Sequence, residues 1–278
     1  MAHPTQSDLA DEPAAALALL KLQIGFGADE AIGEAPVNRL IPRSAPAQRT
    51  SAPQPPQTRA NVRTFAPVSS GPDAALHSAR EIAAACETLD ELRIAIDAFT
   101  ACPLRATANT TVFADGTRGS AIMLIGEAPG RDEDLQGLPF VGRSGQLLDL
   151  MLESVSFARR GSANTVYITN VLPWRPPGNR APTTQEAAMC LPFLERHIAL
   201  AAPKLLVLLG GAASKFVLGV EDGIMRLRGK WRAYETQDGG PPIPVLPTLH
   251  PAYLLRQPAE KAKAWRDLLQ IKKRLSTI

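Results

Sequence analysis

Four short apolar runs, each followed by sequence with helical character, constrain the fold of this 278-residue chain more than any other feature. These runs cover residues 121–125, 166–169, 205–209 and 244–246. The first three are apolar throughout rather than alternating, which is typical of strands buried on both faces. Helical patterns cover about residues 79–98, 144–154, 184–201, 212–218 and 258–275. Strand followed by helix, repeated, predicts a three-layer α/β/α sandwich around a central, mostly parallel four-stranded sheet.

The N-terminal part of the chain has a different composition. Ten of the 25 prolines lie between Pro4 and Pro72, and residues 36–72 are also rich in Ala, Ser, Gln and Arg. Such a stretch buries too little apolar surface to offset the entropy of ordering. We therefore predict an N-terminal segment at 1–33, a flexible Pro/Ala-rich linker at 34–75 and a folded domain at 76–278. A short helix at 14–24 either docks on the domain, frays or binds a partner.

Charge and cysteine content exclude several classes of protein. No run approaches the roughly 20 apolar residues of a membrane span. Three cysteines do not make a disulfide scaffold and suit a reducing compartment. The first residues lack the basic region of a secretory signal, so we expect a cytoplasmic protein. The net charge of +3 is compatible with nucleic-acid binding without requiring it.

The loop after the first run, residues 126–130, reads Gly-Glu-Ala-Pro-Gly. It lacks the Gly-Lys-Ser/Thr ending of a P-loop and the glycine spacing of a dinucleotide fingerprint. Its glycines allow a tight turn and close approach of a ligand. Glu127 would stand just beyond the strand end, where a carboxylate can orient water or oppose positive charge; an ordinary tight turn with a solvated glutamate is the alternative.

Three further loops carry candidate ligand-binding residues. Phe140 lies among turn-forming residues, which suits stacking on a planar ligand, although core packing competes. The turn at 142–145 leads into a helix whose first amides could bind a phosphate, assisted by Arg143. Asn170 ends the second strand, where its amide can either read the edge of a pyrimidine or cap its own turn. His250, before Pro251, can donate to a developing anion.

Together these loops resemble the uracil-DNA glycosylase superfamily, most closely its family 4 branch. The resemblance covers about residues 95–275 and rests on several separate motifs in the right order. They are Gly-Glu-Ala-Pro-Gly at 126–130, Pro-Phe-Val-Gly-Arg at 139–143, Thr-Asn-Val at 169–171, Arg-Pro-Pro-Gly-Asn-Arg at 175–180, Arg-Gly at 228–229 and His-Pro-Ala-Tyr at 250–253.

The resemblance implies hydrolysis of the bond between uracil and deoxyribose in DNA, with the target nucleotide flipped out of the stack. Phe140 would stack on the base, Asn170 would read its polar edge, His250 would bond its oxygen as it becomes anionic, and Glu127 would oppose the charge of the sugar. The implied substrate-binding residues are Gly126, Ala128, Pro129, Gly130, Phe140, Asn170 and His250. The implied partners are single- or double-stranded DNA and free uracil, and we expect a monomer.

A second set of residues is expected to contact DNA. Arginines give affinity for phosphates without carrying sequence information. The resemblance implies that Leu254 is the candidate residue that fills the base stack once the target nucleotide has left it. The full set is Arg143, Ser144, Gly145, Arg175, Arg180, Arg228, Leu254 and Arg256.

The chain departs from family 4 at the iron–sulfur cluster, which the resemblance implies on four cysteines. Here the four positions are Phe99, Cys102, Trp174 and Cys190, so two ligands are replaced by large aromatic residues. Cys86 could supply at most a third thiol. We therefore expect no cluster and no other cofactor, with Cys102 and Cys190 as reduced remnants rather than a zinc site.

Alternative functions stay open at this point. A non-catalytic DNA-binding repair scaffold of the same fold is one, although Glu127, Phe140, Asn170 and His250 are all present. A nucleotide-binding hydrolase is another, and the missing P-loop lysine argues against it. The acidic residues 132–134 could form a metal cluster, but we expect a solvated turn or a substrate-channel edge. No histidine lies between positions 170 and 190, unlike in the branch trapped covalently on DNA, so no covalent adduct is expected.

Overall fold

A computed structural model describes residues 72–161, 163–237 and 239–277. The predicted N-terminal helix lies outside these residues, and so does the predicted linker as far as residue 71. The first described helix begins at Pro72, inside the segment predicted to be linker. Within the described residues, no helix is both long and apolar enough to cross a membrane.

The strands and helices alternate through most of the described chain. The strands are β1 (Asp115–Gly116), β2 (Ile122–Gly126), β3 (Val166–Asn170), β4 (Leu205–Leu209), β5 (Arg232–Tyr234) and β6 (Ile243–Thr248). The helices are α1 (Pro72–Ala85), α2 (Leu89–Ala98), α3 (Pro103–Thr107), α4 (Arg131–Gln136), α5 (Arg143–Glu153), α6 (Thr184–Ala201), α7 (Gly211–Leu218), α8 (Ile224–Leu227), α9 (Pro251–Arg256) and α10 (Lys261–Leu275). Short 3₁₀ turns cover Pro177–Asn179 and Pro258–Glu260.

The sheet has the order β1-β3-β2-β4-β6-β5. The four predicted strands, β2, β3, β4 and β6, pair in parallel and form its centre. Strands β1 and β5 add antiparallel edges, so the sheet has six strands rather than the predicted four. In the parallel register Gly126 lies beside Asn170, and Leu209 beside Thr248. The carboxyl ends of the central strands therefore meet at one edge of the sheet.

The sheet buries both faces, as the continuous apolar runs predict. Alternate residues of β2 belong to different cores: Met123 and Ile125 pack with α1, α2 and α6, while Ile122 and Leu124 pack with α5 and α10. The α/β/α layering is confirmed. The helix predicted over 79–98 is two helices, because Thr88 starts a new one with a capping box: its hydroxyl accepts from Glu91 N at 3.1 Å, and the Glu91 carboxylate accepts from Thr88 N at 3.3 Å.

His197 is a buried titratable group between α6 and the sheet. Its Nε2 is 2.9 Å from the Tyr167 hydroxyl, and its ring stacks on Phe113 with a centroid separation of 4.3 Å. Burial, with a smaller effect of the Arg118 charge, lowers the pKa of His197 to about 3. The folded protein therefore keeps this ring neutral at any pH where the unfolded chain would begin to protonate it.

We expect the free energy of unfolding to fall between pH 7 and pH 5, because over this range only the unfolded chain takes up the His197 proton. With an ordinary pKa of about 6.5 in the unfolded state, His197 accounts for about 2 kcal/mol of that fall. His197→Gln, which can still bond the Tyr167 hydroxyl, should make the fall shallower by about that amount. Urea unfolding at both pH values measures it, with His77→Gln at an exposed position as control; equal falls in all three proteins would contradict the prediction.

Candidate active site

One cavity of about 520 Å³ opens at the carboxyl edge of the central strands. The loop after β2 contributes Glu127, Ala128, Pro129 and Gly130 to its lining, and the structure brings Phe140, Asn170 and His250 to the same cavity. Gly126 lies at the end of β2 and does not line the cavity itself. Of the residues expected to contact DNA, Ser144, Arg180 and Arg256 also line it.

Asn170 lines the cavity and carries an unsatisfied hydrogen-bond acceptor. It is 5% exposed at the end of β3, and its Oδ1 has no hydrogen-bond partner among the described residues. Gly126 makes this position possible: a Cβ there would lie 2.6 Å from Cζ of Phe140 and still closer to Oδ1 of Asn170. Because a buried acceptor without a donor is costly, Asn170 Oδ1 is poised to accept from a ligand.

Phe140 both packs in the core and lines the cavity. Core packing and a place beside a ligand, the two alternatives left open by the sequence, are therefore compatible. Phe140 is 5% exposed, belongs to the core with Leu148, and lies 5.5 Å from the His250 ring at a tilt of 32°. Its backbone adopts φ +55°, a left-handed conformation that bulky side chains rarely take. The chain thus holds an aromatic ring in a strained but fixed position beside the cavity.

His250 caps α9 and is held as a neutral hydrogen-bond donor. The Ala252 N–H donates to Nδ1 of His250 at 3.1 Å, so the neutral ring carries its proton on Nε2. Burial, and then the charge of Arg256, lower the pKa of His250 to about 4. The ring therefore remains uncharged at neutral pH and keeps Nε2–H available to a ligand.

Glu127 is the half-buried carboxylate of the cavity. Burial raises the pKa of Glu127 above its ordinary value. The Glu127 carboxylate therefore loses its negative charge at a higher pH than an exposed glutamate does.

The acidic turn at 132–134 differs from its prediction. Asp132 is exposed, but Glu133 and Asp134 are buried, so a solvated turn is wrong for these two. The Glu133 carboxylate accepts from the amides of Gly130 at 3.1 Å and of Val141 and Gly142 at 3.0 Å, and it also lines the cavity. It ties the loop after β2 to the loop at residues 137–142, called the Phe140 loop below, a role that sequence reasoning missed.

Asp134 fixes the segment before β1. It accepts from Asn109 N at 2.9 Å, from Asn109 Nδ2 at 2.6 Å and from Thr110 N at 3.3 Å. Both carboxylates are thus bound internally, and in the part of the chain that the structure describes no three or more His, Cys, Asp or Glu side chains are grouped so that they could hold a metal ion.

The start of α5 is less suited to a phosphate than predicted. The Gly142 amide donates to Glu133, and the Gly145 amide donates to the Gly142 carbonyl at 2.9 Å. A Cβ at Gly145 would overlap the Phe140 carbonyl oxygen, so this glycine serves close packing rather than DNA contact. Arg143 is exposed and Ser144 lines the cavity, which leaves these two available.

Two expected DNA contacts face the interior. Leu254 is fully buried against Leu249 and Ala264, so it does not project as a wedge; the next residue, Leu255, is 38% exposed. Arg228 forms an ion pair with the buried Asp267 and donates to the Lys263 carbonyl at 2.7 Å, which makes it structural. Helix α9 was not predicted from the sequence. It buries Leu254 and exposes Leu255, which is the reverse of the expected orientation.

The remaining arginines lie at the surface around the cavity. Arg180 pairs with Glu186 through two hydrogen bonds of 2.6 and 2.8 Å, and its side chain is still 44% exposed. Arg175 donates to Asn179 Oδ1 at 2.6 Å. Arg256 is exposed at the end of α9. These internal bonds orient Arg175 and Arg180 without burying their charges.

The region of the four cluster positions does not fit a four-thiolate iron–sulfur cluster. Phe99 and Trp174 stack with centroids 6.4 Å apart at 14°, and the fully buried Trp174 donates to Thr111 Oγ1 at 3.0 Å. Cys102 and Cys190 are buried in the same hydrophobic cluster. A hydrogen bond to Cys102 and then burial raise the pKa of Cys190 well above its ordinary value, so that thiol stays protonated.

Similar proteins support one family. The sequence profile of the Uracil DNA glycosylase superfamily matches residues 113–269. The chain is 38% identical over 189 residues to the type-4 uracil-DNA glycosylase of Archaeoglobus fulgidus, covering 66% of this chain and 92% of that protein. It is 42% identical over 161 residues to that of Thermotoga maritima (56% and 78%) and 36% identical over 169 residues to that of Pyrobaculum aerophilum (60% and 84%). The matched span contains every loop that lines the cavity.

Proposed function

Because the chain belongs to the uracil-DNA glycosylase superfamily, we propose that it hydrolyses the N-glycosidic bond of uracil in DNA and leaves an abasic site. The observation that carries this proposal is the buried, unpartnered Oδ1 of Asn170 in a cavity that Phe140, His250 and Glu127 also line. An enzyme can reach this bond only when the nucleotide leaves the stack and the base enters such a pocket.

Asn170 and Phe140 bind the base. Oδ1 of Asn170 accepts from the ring N–H of uracil, and the amide NH₂ donates to the adjacent carbonyl. Cytosine has an unprotonated ring nitrogen and an amino group at these positions, so it would leave the buried amide mispaired. The Phe140 ring stacks on the face of the base, a contact that holds any planar base and supplies affinity rather than selectivity.

His250 and Glu127 stabilise the separating charges. Cleavage leaves negative charge on uracil and positive charge on the sugar. Nε2–H of the neutral His250 donates to the uracil oxygen as it becomes anionic, and Glu127 opposes the sugar charge and orients the attacking water. Both interactions strengthen only as charge develops, so they lower the barrier rather than merely tightening binding.

The surface around the cavity binds the DNA backbone. Arg143, Arg175, Arg180 and Arg256 contact phosphates, and Leu255 takes the place proposed from sequence for Leu254 in the vacated stack. Uracil that is mispaired or in single-stranded DNA is the cheapest to extrude. We further propose that the enzyme works as a cytoplasmic monomer at the nucleoid, releases free uracil and forms no covalent adduct.

An oligonucleotide carrying a single uracil tests the function directly. The protein is incubated with the labelled strand in EDTA, and alkali then cleaves any abasic site. We expect strand breaks at uracil and none in matched strands with cytosine or thymine at that position. Binding of the uracil strand without breaks would instead identify a non-catalytic scaffold.

We also propose that the enzyme carries no iron–sulfur cluster, because Phe99 and Trp174 fill two ligand positions. Protein purified anaerobically should contain far less than one iron per chain, and Cys102→Ser should leave uracil excision unchanged. The Phe99→Cys/Trp174→Cys double variant offers four thiols and controls for the iron supply during expression. Stoichiometric iron and sulfide in the unmodified protein would overturn this proposal.

A further inference from the structure

We infer that Arg159, which does not line the cavity, is a positioning residue for excision: its guanidinium holds the backbone of Phe140 in the conformation that presents the ring to the base. The inference rests on the proposed function, since it assigns Phe140 the stacking role. Arg159 follows α5, on the chain segment that leads into β3.

The guanidinium of Arg159 joins the Phe140 loop to two fixed elements. Nη1 donates to the Pro139 carbonyl at 2.9 Å, and Nη2 donates to the Phe140 carbonyl at 2.5 Å. On its other side, Nη1 donates to Asp115 at 2.9 Å and Nε to Asp149 at 2.7 Å. The Arg159 and Asp115 side chains are only 13% and 7% exposed, and Pro139 and Phe140 are buried, so water competes little for the bonds among these four residues; the Asp149 side chain is 50% exposed.

Phe140 needs such a support because its backbone is strained. A bulky residue at φ +55° relaxes unless its surroundings hold it. Glu133 binds the amides that follow, at Val141 and Gly142, and Arg159 binds the carbonyls of Pro139 and Phe140. An anionic and a cationic side chain thus fix the two sides of one residue, and neither can replace the other.

Only arginine offers this set of donors. Its planar group carries five N–H bonds in a fixed fork, which here serve two carbonyls and two carboxylates from separate segments. A lysine at 159 would keep the positive charge near Asp115 but could not span all four acceptors. Loss of the fork leaves the two carbonyls without these donors and frees the Phe140 peptide to rotate.

The test compares Arg159→Met with Arg160→Met. Arg160 is the adjacent residue, also pairs with Asp115, and has no hydrogen bond to the Phe140 loop among the described contacts. We expect Arg159→Met to raise KM for uracil-containing DNA and the inhibition constant of free uracil by about tenfold, within the roughly 5- to 150-fold range that stacking on one aromatic ring supplies. Because stacking acts on bound base and transition state alike, kcat should fall much less. Arg160→Met should have the same KM, inhibition constant and kcat as the unmodified protein.

A double-mutant cycle separates positioning from general support of the fold. In a Phe140→Ala background, Arg159→Met should leave both constants unchanged, because there is no ring left to position. Two results would overturn the inference. One is the same tenfold change in both backgrounds; the other is a folded Arg159→Met protein whose KM and inhibition constant equal those of the unmodified protein. If Arg159→Met does not fold, Arg159→Lys is measured under the same criteria. An unmodified protein that excises no uracil would instead reject the proposed function.

Discussion

Replacing His250 by alanine is expected to lower kcat for uracil excision by roughly 100- to 1000-fold, the usual cost of losing one positioned donor to a developing anion. The donor here is Nε2–H of a neutral ring, held by the Ala252 amide on Nδ1. KM should change little, because the bond strengthens only as charge moves onto the base. Single-turnover rates on a uracil oligonucleotide measure the loss.

Two comparisons make this result specific. His77→Ala, at an exposed position on α1, should leave the rate unchanged. Because burial holds the pKa of His250 at about 4, its protonation should not limit the rate between pH 5 and 8. A loss of rate as the pH falls should follow protonation of Glu127, whose pKa burial raises, and should disappear in Glu127→Gln. An acid loss that His250→Ala removes and Glu127→Gln retains would reverse the two assignments.

The central sheet and the cavity were predictable from local patterns. The three continuous apolar runs mark β2, β3 and β4, because strands covered on both faces need no polar positions. The side chains at the ends of β2, β3 and β6 meet because parallel strands end at the same edge. Glu127, Asn170 and His250 therefore lie together although they are far apart along the chain.

The predictions that failed depend on tertiary contacts that the sequence alone does not show. Leu254 and Leu255 are equally apolar neighbours, and only the helical turn of α9 buries the first and exposes the second. Arg228 looks like any surface arginine until the chain brings Asp267 to it. Glu133 sits in an acidic run typical of solvated turns, and its burial depends on amides of the Phe140 loop. The edge strands β1 and β5 have only two and three residues, too few to show a period.

Gly126→Ala is expected to lower kcat/KM for uracil excision on the order of 100-fold, the cost of displacing binding groups by about 1 Å. The new Cβ would lie 2.6 Å from Cζ of Phe140 and closer still to Oδ1 of Asn170, so the two groups proposed to bind the base must move apart. The backbone of Gly126 does not require a glycine, because its φ is not positive. The expected defect is therefore steric and local.

Gly211→Ala is the matched control for this prediction. Gly211 begins α7 just after β4, at the same edge of the sheet, and a Cβ there would meet Ile224 Cβ at an ordinary 3.7 Å. It should keep full activity and gain slightly in stability, since alanine favours a helix more than glycine does. Urea unfolding of Gly126→Ala checks that the loss of excision exceeds any loss of folded protein. If a folded Gly126→Ala protein kept the kcat/KM of the unmodified protein, Asn170 and Phe140 would not both bind the base.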